Sequence, residues 1–200
     1  MIAATVLSAG VSSRMGYPKA LLEYRGRTFL ESILDATIAA GVKRRYVVVG
    51  PDTGKILHNM DLRDSTVVET EDFSAGPIGS IRAAIHHAEA HPVDGLLVWP
   101  VDMPHVSIGT VEDLVDAFRQ SHQPIVVPTY KGDRGHPVIF GREVFQELLD
   151  APDDLGAKAV VRADSSRVQV VEVDDPAVVE DLNTPEAYIE MVKKADGTRG

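Results

Sequence analysis

Short apolar segments alternate with amphipathic helical patterns along this chain, and that alternation is the feature that most restricts its fold. Seven segments predict strands: Ile2–Leu7, Tyr46–Val49, Thr66–Glu69, Leu96–Pro100, Ile125–Pro128, Val138–Phe140 and Val168–Val173. Several are almost entirely apolar, as expected when helices cover both faces of a sheet. The alternation predicts an α/β fold of three layers, with helices on both faces of a mostly parallel, Rossmann-like sheet.

The helices between these strands have recognisable starts and faces. Thr28 and Glu31 have the spacing of a capping box, and Thr184 followed by Pro185 predicts another helix start. Three apolar stripes recur at helical spacing: Leu30, Ile33, Leu34 and Thr37; Ile78, Ile81, Ile85 and Ala88; and Val111, Leu114, Val115 and Phe118. We expect these stripes to pack in the core and assign them no function.

The length and composition predict one domain. With 200 residues, of which 44% are hydrophobic, the chain can bury one sizeable core. Neither an internal repeat nor an interdomain linker is apparent. Residues 1–192 are therefore predicted to form a single domain, and the polar residues 193–200 a frayed C-terminal tail.

Several absences narrow the class of protein. The chain has no cysteine, which excludes disulfides and thiolate metal sites and fits a reducing cytoplasm. No apolar run approaches the ~20 residues that cross a bilayer, and the N-terminus lacks the basic region of a secretory signal. We expect a cytoplasmic protein that contacts no membrane.

The charge is negative as a whole but positive near the N-terminus. The formal net charge is −10, which argues against nucleic acid as a partner. Residues 1–30 instead carry four cations, Arg14, Lys19, Arg25 and Arg27, against Glu23 alone, which gives +3. This distribution favours a small polyanionic ligand; the alternative is chance clustering of surface charge.

A loop rich in glycine and serine, "LSAGVSSRMGYPKALL", follows the first predicted strand. A glycine-rich turn between a strand and a helix suits phosphate binding, because the backbone N–H groups can approach the anion. The loop lacks the Gly-Lys-Ser/Thr of a Walker A motif, and its two glycines, Gly10 and Gly16, do not form a Rossmann fingerprint. It is predicted to surround a triphosphate, with Arg14 and Lys19 as contacts.

The extended loop "LSAGVSSRMGYPKALLEYRGRTFLE" resembles the signature of the molybdenum-cofactor nucleotidyltransferases, within the wider family of MobA-like NTP transferases. Four further motifs of that family follow in order: "VDMP" (Val101–Pro104), "RGHPVIF" (Arg134–Phe140), "DLGAKAVV" (Asp154–Val161) and "EDLNTPEAY" (Glu180–Tyr188). The resemblance covers almost the whole chain. It implies one nucleotidyltransferase domain with a nucleotide-diphospho-sugar transferase-like fold of the GT-A type.

The resemblance also implies an activity. A nucleoside monophosphate moves from NTP to an acceptor phosphate, and pyrophosphate is released. Because the attacking phosphate is already anionic, the reaction needs positioning and charge neutralisation rather than a general base. The resemblance implies catalytic roles for Lys19, Arg14 and Asp102. It implies nucleotide contacts at Leu7, Ser8, Ala9, Gly10, Ser12, Ser13, Gly16, Pro18, Gly76 and Ser80.

Magnesium is the expected cofactor, because it binds a few carboxylates together with phosphate oxygens and water. Asp102 follows a buried strand, where the crevice of an open α/β sheet lies, and the matching residue of the family is a metal ligand. Taken alone, an Asp at this position is often a turn or helix cap. Asp181 and Asn183 are candidates for completing the metal site; the alternative is a simple helix entry.

The first loop also bears on which nucleotide base the protein selects. In the family that the chain resembles, relatives that read "LAAG" here tend to use CTP, whereas those that read "LAGG" tend to use GTP. Ala9 sides with the CTP group, since its β-carbon would crowd a purine, and the hydroxyl of Ser8 either contacts the base or caps a turn. Pro77 and the "NTP" motif lean towards GTP, whereas Asp181 and "RGHPVIF" lean towards CTP. CTP is the prediction and GTP the alternative.

The acceptor is expected to be of the molybdopterin type, bound near the "KGDRGHP" loop. Candidate contacts are Lys131, Arg134, Gly135, His136 and Pro137; the alternative for His136 is a strand-entry residue held by the proline. Rival functions are nucleotidyl transfer to another small phosphorylated acceptor and a non-catalytic nucleotide-binding module. A transient contact with a molybdoenzyme or its maturation factor is a further expectation.

Overall fold

The computed structural model describes residues 1–10, 17–50, 57 and 60–197. Within them, one eight-stranded sheet contains β1 (Ile2–Leu7), β4 (Arg44–Val49), β5 (Thr66–Glu69), β6 (Gly95–Pro100), β7 (Ile125–Tyr130), β8 (Asp133–Arg134), β9 (Val138–Gly141) and β10 (Val168–Glu172). A separate hairpin pairs β2 (Glu23–Tyr24) with β3 (Arg27–Thr28). All seven predicted strands are present, with ends that agree to within two residues.

The strand order β10-β7-β9-β6-β1-β4-β5 creates a crevice at the end of β1. From β1 the chain runs to β4 and β5 on one side, and it then returns to β6 on the other side. Thus Val6 lies beside Val47 and Trp99, both in parallel register. At such a switch point the carboxyl ends of the strands form the usual ligand site of an open α/β sheet. Among the long strands of the described residues, β9 alone runs against its neighbours, β6 and β7.

The helices form two layers around the sheet. They are α1 (Phe29–Ala39), α2 (Pro77–Glu89), α3 (Ile108–Gln120), α4 (Phe145–Leu149), α5 (Ala157–Ala163) and α6 (Pro185–Gly197). Alternate residues of a strand point to opposite faces, so Ala4 and Val6 pack in one core with α1, α3 and α6, whereas Ala3 packs in a second core with α2, α4 and α5. This arrangement confirms the expected three layers.

The predicted helix starts are also present. The Thr28 hydroxyl accepts from Glu31 N at 3.2 Å, and the Glu31 carboxylate accepts from Thr28 N at 2.9 Å, which completes the capping box. Thr184 Oγ1 accepts from Ala187 N at 3.2 Å at the start of α6. This last helix extends to Gly197, so the boundary expected after residue 192 falls inside it. No helix in the described ranges combines the length and apolarity needed to cross a membrane.

Candidate active site

A cleft of about 850 Å³ lies at the carboxyl ends of β1 and β6. The sequence-predicted site residues that line it are Leu7, Ser8, Ala9, Gly10, Pro18, Lys19, Gly76, Ser80, Asp102, Arg134, Gly135, His136 and Asp181. Ser12, Ser13, Arg14 and Gly16 lie outside the described residues. The fold therefore brings together predicted residues from six separate stretches of the described chain.

Lys19, Asp102 and Asn183 meet in this cleft. The ammonium Nζ of Lys19 donates to Asp102 Oδ2 at 2.9 Å and also to Asn183 Oδ1. The side chains of Lys19 and Asp102 are each only 17% exposed, so the ion pair is largely shielded from water. Asn183 is not a lining residue but reaches the cleft through Lys19. One ammonium thus lies between two of the oxygens predicted to bind a metal.

The loop after β6 holds Asp102 rigidly. Val101 N donates to Leu7 O at 3.2 Å, and Leu182 N donates to Asp102 O at 3.0 Å. The helix-cap alternative for Asp102 is wrong, because the following helix α3 is capped by Ser107, whose Oγ accepts from Thr110 N at 3.1 Å. The carboxylate of Asp102 is therefore directed into the cleft without a capping role.

The donor set around Lys19 fits magnesium better than a soft metal. In the described part of the chain, no three His, Cys, Asp or Glu side chains gather as a metal cluster. Asp102 and Asn183 instead offer hard oxygen donors to one cation, the Lys19 ammonium. Magnesium characteristically takes one or two carboxylates and completes its shell with phosphate oxygens and water. Asp181 lies on the same cleft wall.

The strap from Arg134 to Pro137 forms another wall. Gly135 N donates to Pro128 O at 2.9 Å, and His136 N donates to Val178 O at 2.8 Å, so backbone bonds hold the strap on both sides. The peptide bond between His136 and Pro137 is cis. Pro137 itself is not among the lining residues. The strap holds His136 in the cleft wall.

Burial governs the protonation of His136. Burial has the largest effect and lowers the pKa of the imidazole. The carboxylates of Asp102 and Asp181 raise this pKa and the ammonium of Lys158 lowers it, so that the net shift is downward. Because the result lies below the ordinary histidine pKa of ~6.5, the imidazole is neutral at pH 7. A neutral ring can donate one hydrogen bond and accept another.

Two further residues that the sequence predicts as substrate contacts, Lys131 and Ser8, lie in different surroundings. Lys131 does not line the cleft; it lies at the exposed turn between β7 and β8, with its Nζ 4.9 Å from the centre of the Tyr130 ring. Ser8 is only 5% exposed, and its Oγ has no hydrogen-bond partner in residues 1–10, 17–50, 57 and 60–197. The suggested turn cap by Ser8 is therefore not formed within this part of the chain.

Gly135 has no room for a side chain, because a Cβ there would lie 2.0 Å from Val178 O. Gly135→Ala is expected to lower the free energy of unfolding by about 1–3 kcal/mol, since the strap must shift to relieve this overlap. Urea unfolding would measure the loss. The control is Gly109→Ala in α3, where the nearest atom lies 4.0 Å away and stability should be unchanged or higher. A Gly135→Ala protein as stable as the wild type would contradict the geometry.

Sequence reasoning missed one wall of the cleft. Residues Asp153, Asp154, Leu155, Lys158 and Arg162, on and before α5, line it as well. Asp154, Leu155 and Lys158 belong to the "DLGAKAVV" motif, and Asp153 and Arg162 flank it directly. The available signal was the spacing of Lys158 and Arg162, which at i, i+4 share one helix face.

Comparison with known protein families gives a match over most of the chain. The model of the family described as "MobA-like NTP transferase domain" matches residues 4–170. Nicotine blue oxidoreductase of Paenarthrobacter nicotinovorans is 29% identical over 202 residues and 96% of both chains. Molybdenum cofactor cytidylyltransferase of Escherichia coli is 25% identical over 193 residues and 92% of both chains.

A solved structure extends this similarity to three dimensions. The crystal structure of Rv0371c from Mycobacterium tuberculosis is 32% identical in sequence, with a TM-score of 0.80 over 96% of this chain and 97% of that one. A crystal structure of the same protein in complex with manganese has a TM-score of 0.74 over 96% of this chain and 98% of that one. The fold is therefore shared along nearly the full length of both chains.

Proposed function

The chain belongs to the family of MobA-like NTP transferase domains, and from this premise we propose that it transfers a nucleoside monophosphate from NTP to the phosphate of molybdenum cofactor (molybdopterin). CTP is the proposed donor and GTP the alternative. The observation that carries the proposal is the contact of Lys19 with Asp102 and Asn183 in the cleft at the sheet's switch point. The similarity to the E. coli cytidylyltransferase supports the acceptor and the donor.

In the proposed reaction, one phosphate replaces another at phosphorus. An oxygen of the acceptor phosphate forms a bond to the α-phosphorus of the NTP, and the bond from the α-phosphorus to the bridging oxygen breaks. Pyrophosphate leaves with that oxygen and its electron pair. Since the attacking oxygen is already anionic, the protein's task is to align the two phosphates and to balance their charge.

We assign the charge balance to Lys19 and Asp102. Magnesium held by Asp102 and Asn183, with Asp181 beside them, would supply positive charge to the phosphate oxygens. Lys19 would exchange its carboxylate contact for the phosphates of the bound nucleotide, where its ammonium stabilises the leaving pyrophosphate. Arg14 is proposed to share this role. The manganese complex of the M. tuberculosis protein supports a divalent ion.

The remaining contacts orient the substrates. Among the described residues, no atom lies within 4 Å of the position that a Cβ of Gly10 would take, which favours close approach of a ligand to the backbone. Ser8, Ala9, Gly76 and Ser80 are proposed to bind the nucleotide. Arg134, Gly135, His136 and Pro137 are proposed to bind the acceptor, with neutral His136 as a hydrogen-bond donor to its phosphate.

The proposal is tested by incubating the protein with Mg²⁺, molybdenum cofactor and either CTP or GTP, and by identifying the product by mass. We expect the cytosine dinucleotide of the cofactor and one pyrophosphate per transfer. Exclusive guanylylation would overturn the choice of base. Nucleotide binding with no dinucleotide would favour another phosphorylated acceptor or a non-catalytic module; a panel of phosphorylated acceptors separates these two.

Ala9→Gly tests the base assignment. Removing the β-carbon opens the space that a purine needs, so the ratio of kcat/KM for GTP to that for CTP is expected to rise about tenfold, equivalent to ~1.4 kcal/mol. Steady-state pyrophosphate release with each nucleotide measures this ratio. If the ratio stays at the wild-type value, the β-carbon at position 9 does not select the base.

An oxidoreductase is the second candidate function. It is favoured by the similarity to nicotine blue oxidoreductase over 96% of both chains. Reduction of nicotine blue by a reduced nicotinamide nucleotide, followed by absorbance, would test it. Redox turnover without pyrophosphate release from any NTP would replace the transferase proposal. The contact between Lys19 and Asp102 favours the transferase, because hydride transfer has no need of a phosphate-bound metal ion.

A further inference from the structure

Two cations of α5, Lys158 and Arg162, line the cleft without a partner among the described residues. They lie four residues apart, so their side chains share one face of the helix. Both residues are exposed, and neither has a side-chain hydrogen bond or an ion pair to any other described residue. Neighbouring arginines are paired: Arg82 contacts Asp153 at 2.8 Å, and Arg167 contacts Glu147 at 2.6 Å. Unpaired cations in a cleft of an acidic protein favour an anionic ligand.

The position of Lys158 relates these cations to the rest of the site. Both the ammonium of Lys158 and the carboxylate of Asp102 affect the pKa of the His136 imidazole. Asp102, His136 and Lys158 all line the same cleft. Two carboxylates just before α5 also line the cleft: Asp153, which is paired with Arg82 at 2.8 Å, and Asp154. The charge of Lys158 and Arg162 thus remains available to a ligand.

The chemistry of in-line transfer calls for a second group of cations. The attacking and the leaving oxygens lie on opposite sides of the phosphorus that is transferred. Lys19, which is held at Asp102 and Asn183, can balance charge on one of these sides only. The acceptor phosphate approaches on the other side, and a phosphomonoester carries up to two negative charges that also need stabilisation.

We propose that Lys158 and Arg162 form a phosphomonoester subsite that holds the phosphate of the acceptor. This inference rests on the proposed function and names the residues that bind its second substrate. Two cations on adjacent turns of one helix can contact different oxygens of a single phosphate group. The subsite selects for the phosphate and leaves the rest of the acceptor to the other walls of the cleft.

The test uses phenyl phosphate as the phosphomonoester probe, titrated calorimetrically into protein that is saturated with Mg²⁺ and α,β-methylene-CTP. The variant Lys158→Ala/Arg162→Ala is expected to bind phenyl phosphate at least tenfold more weakly, with the affinity for the nucleotide within twofold of wild type. In the transfer reaction, the KM for the acceptor should rise at least tenfold while the KM for CTP stays constant. The reciprocal exchange Lys158→Arg/Arg162→Lys should retain most of the binding.

The control variant, Lys43→Ala/Arg119→Ala, removes the same charge from exposed positions outside the cleft. Equal weakening in this control, or unchanged binding in the α5 variant, would overturn the subsite. Wild-type protein that binds the nucleotide but not phenyl phosphate would also overturn it and leave the proposed function standing. Binding of phenyl phosphate that depends on α5, without nucleotide binding, would support the subsite and contradict the proposed function.

Discussion

Replacing Asp102 with alanine is expected to reduce kcat by at least a hundredfold while the protein stays folded. Backbone hydrogen bonds hold the main chain at Val101 and Asp102, and the Asp102 carboxylate meets Lys19 at 2.9 Å, so its loss removes the principal ligand proposed for the metal ion. Loss of one well-placed electrostatic contact to a transition state costs ~2.7–4 kcal/mol, which corresponds to about a hundredfold to a thousandfold in kcat. Pyrophosphate release at saturating nucleotide and acceptor measures the effect.

Asp116→Ala is the matched control for Asp102→Ala. Asp116 is an exposed carboxylate on α3 whose ion pair is with Arg119, and it does not line the cleft. This variant should turn over at the wild-type rate, because surface ion pairs contribute little to stability. Circular dichroism of both variants checks the fold. Wild-type turnover by folded Asp102→Ala protein would refute the assignment of Asp102.

Lys19→Met is expected to have two effects in opposite directions. The kcat should fall at least a hundredfold, because the leaving pyrophosphate loses a cationic contact. In the absence of nucleotide, however, Mn²⁺ should bind at least tenfold more tightly, since the ammonium no longer occupies the oxygens of Asp102 and Asn183. Electron paramagnetic resonance of free Mn²⁺ measures this affinity without any turnover.

The comparison variant for the Mn²⁺ measurement is Asp102→Asn. Its kcat should also fall, but its Mn²⁺ affinity should decrease because an anionic ligand has been replaced by a neutral one. The two variants would then share a loss of activity and differ in the sign of the change in metal binding. Weaker Mn²⁺ binding in Lys19→Met would mean that the ammonium does not compete with the metal for these oxygens.

The long strands could be predicted because buried strands have a mostly apolar sequence. β1 and β6 lie between two helical layers and are almost wholly apolar, as is β4 after Arg44 and Arg45, so their composition separates them from the helices. The short strands β2, β3 and β8 have two residues each, which is too few for any periodicity. They depend instead on tight turns, such as the one at Arg25 and Gly26, where φ is positive.

The reversed direction of β9 could not be predicted from hydrophobic periodicity. Apolar composition says that a segment is a buried strand but not which way it runs. The link between Tyr130 and Val138 is too short for a parallel crossover, which needs a dozen or more residues. The length of this link therefore indicates the direction of β9, although the apolar pattern of the strand does not.

The site was predictable where a motif follows a strand end. Lys19 and Asp102 lie 83 positions apart in the chain, and Lys19 and Asn183 lie 164 apart, yet parallel strands bring such ends to one edge of the sheet. Lys158 and Arg162 were not predictable in this way. The seven-residue helix that carries them begins after Gly156, whose φ of +56° turns the chain, and such a turn is not evident from side-chain pattern.

The most direct test of the account is a crystal structure with Mn²⁺ and α,β-methylene-CTP, in which anomalous scattering locates the metal. We expect Mn²⁺ bound to an oxygen of Asp102 and to the nucleotide's phosphates, with the Lys19 ammonium moved from Asp102 to a phosphate oxygen. A nucleotide bound outside this cleft, or Mn²⁺ bound away from Asp102 while Lys19 keeps its carboxylate contact, would contradict the account.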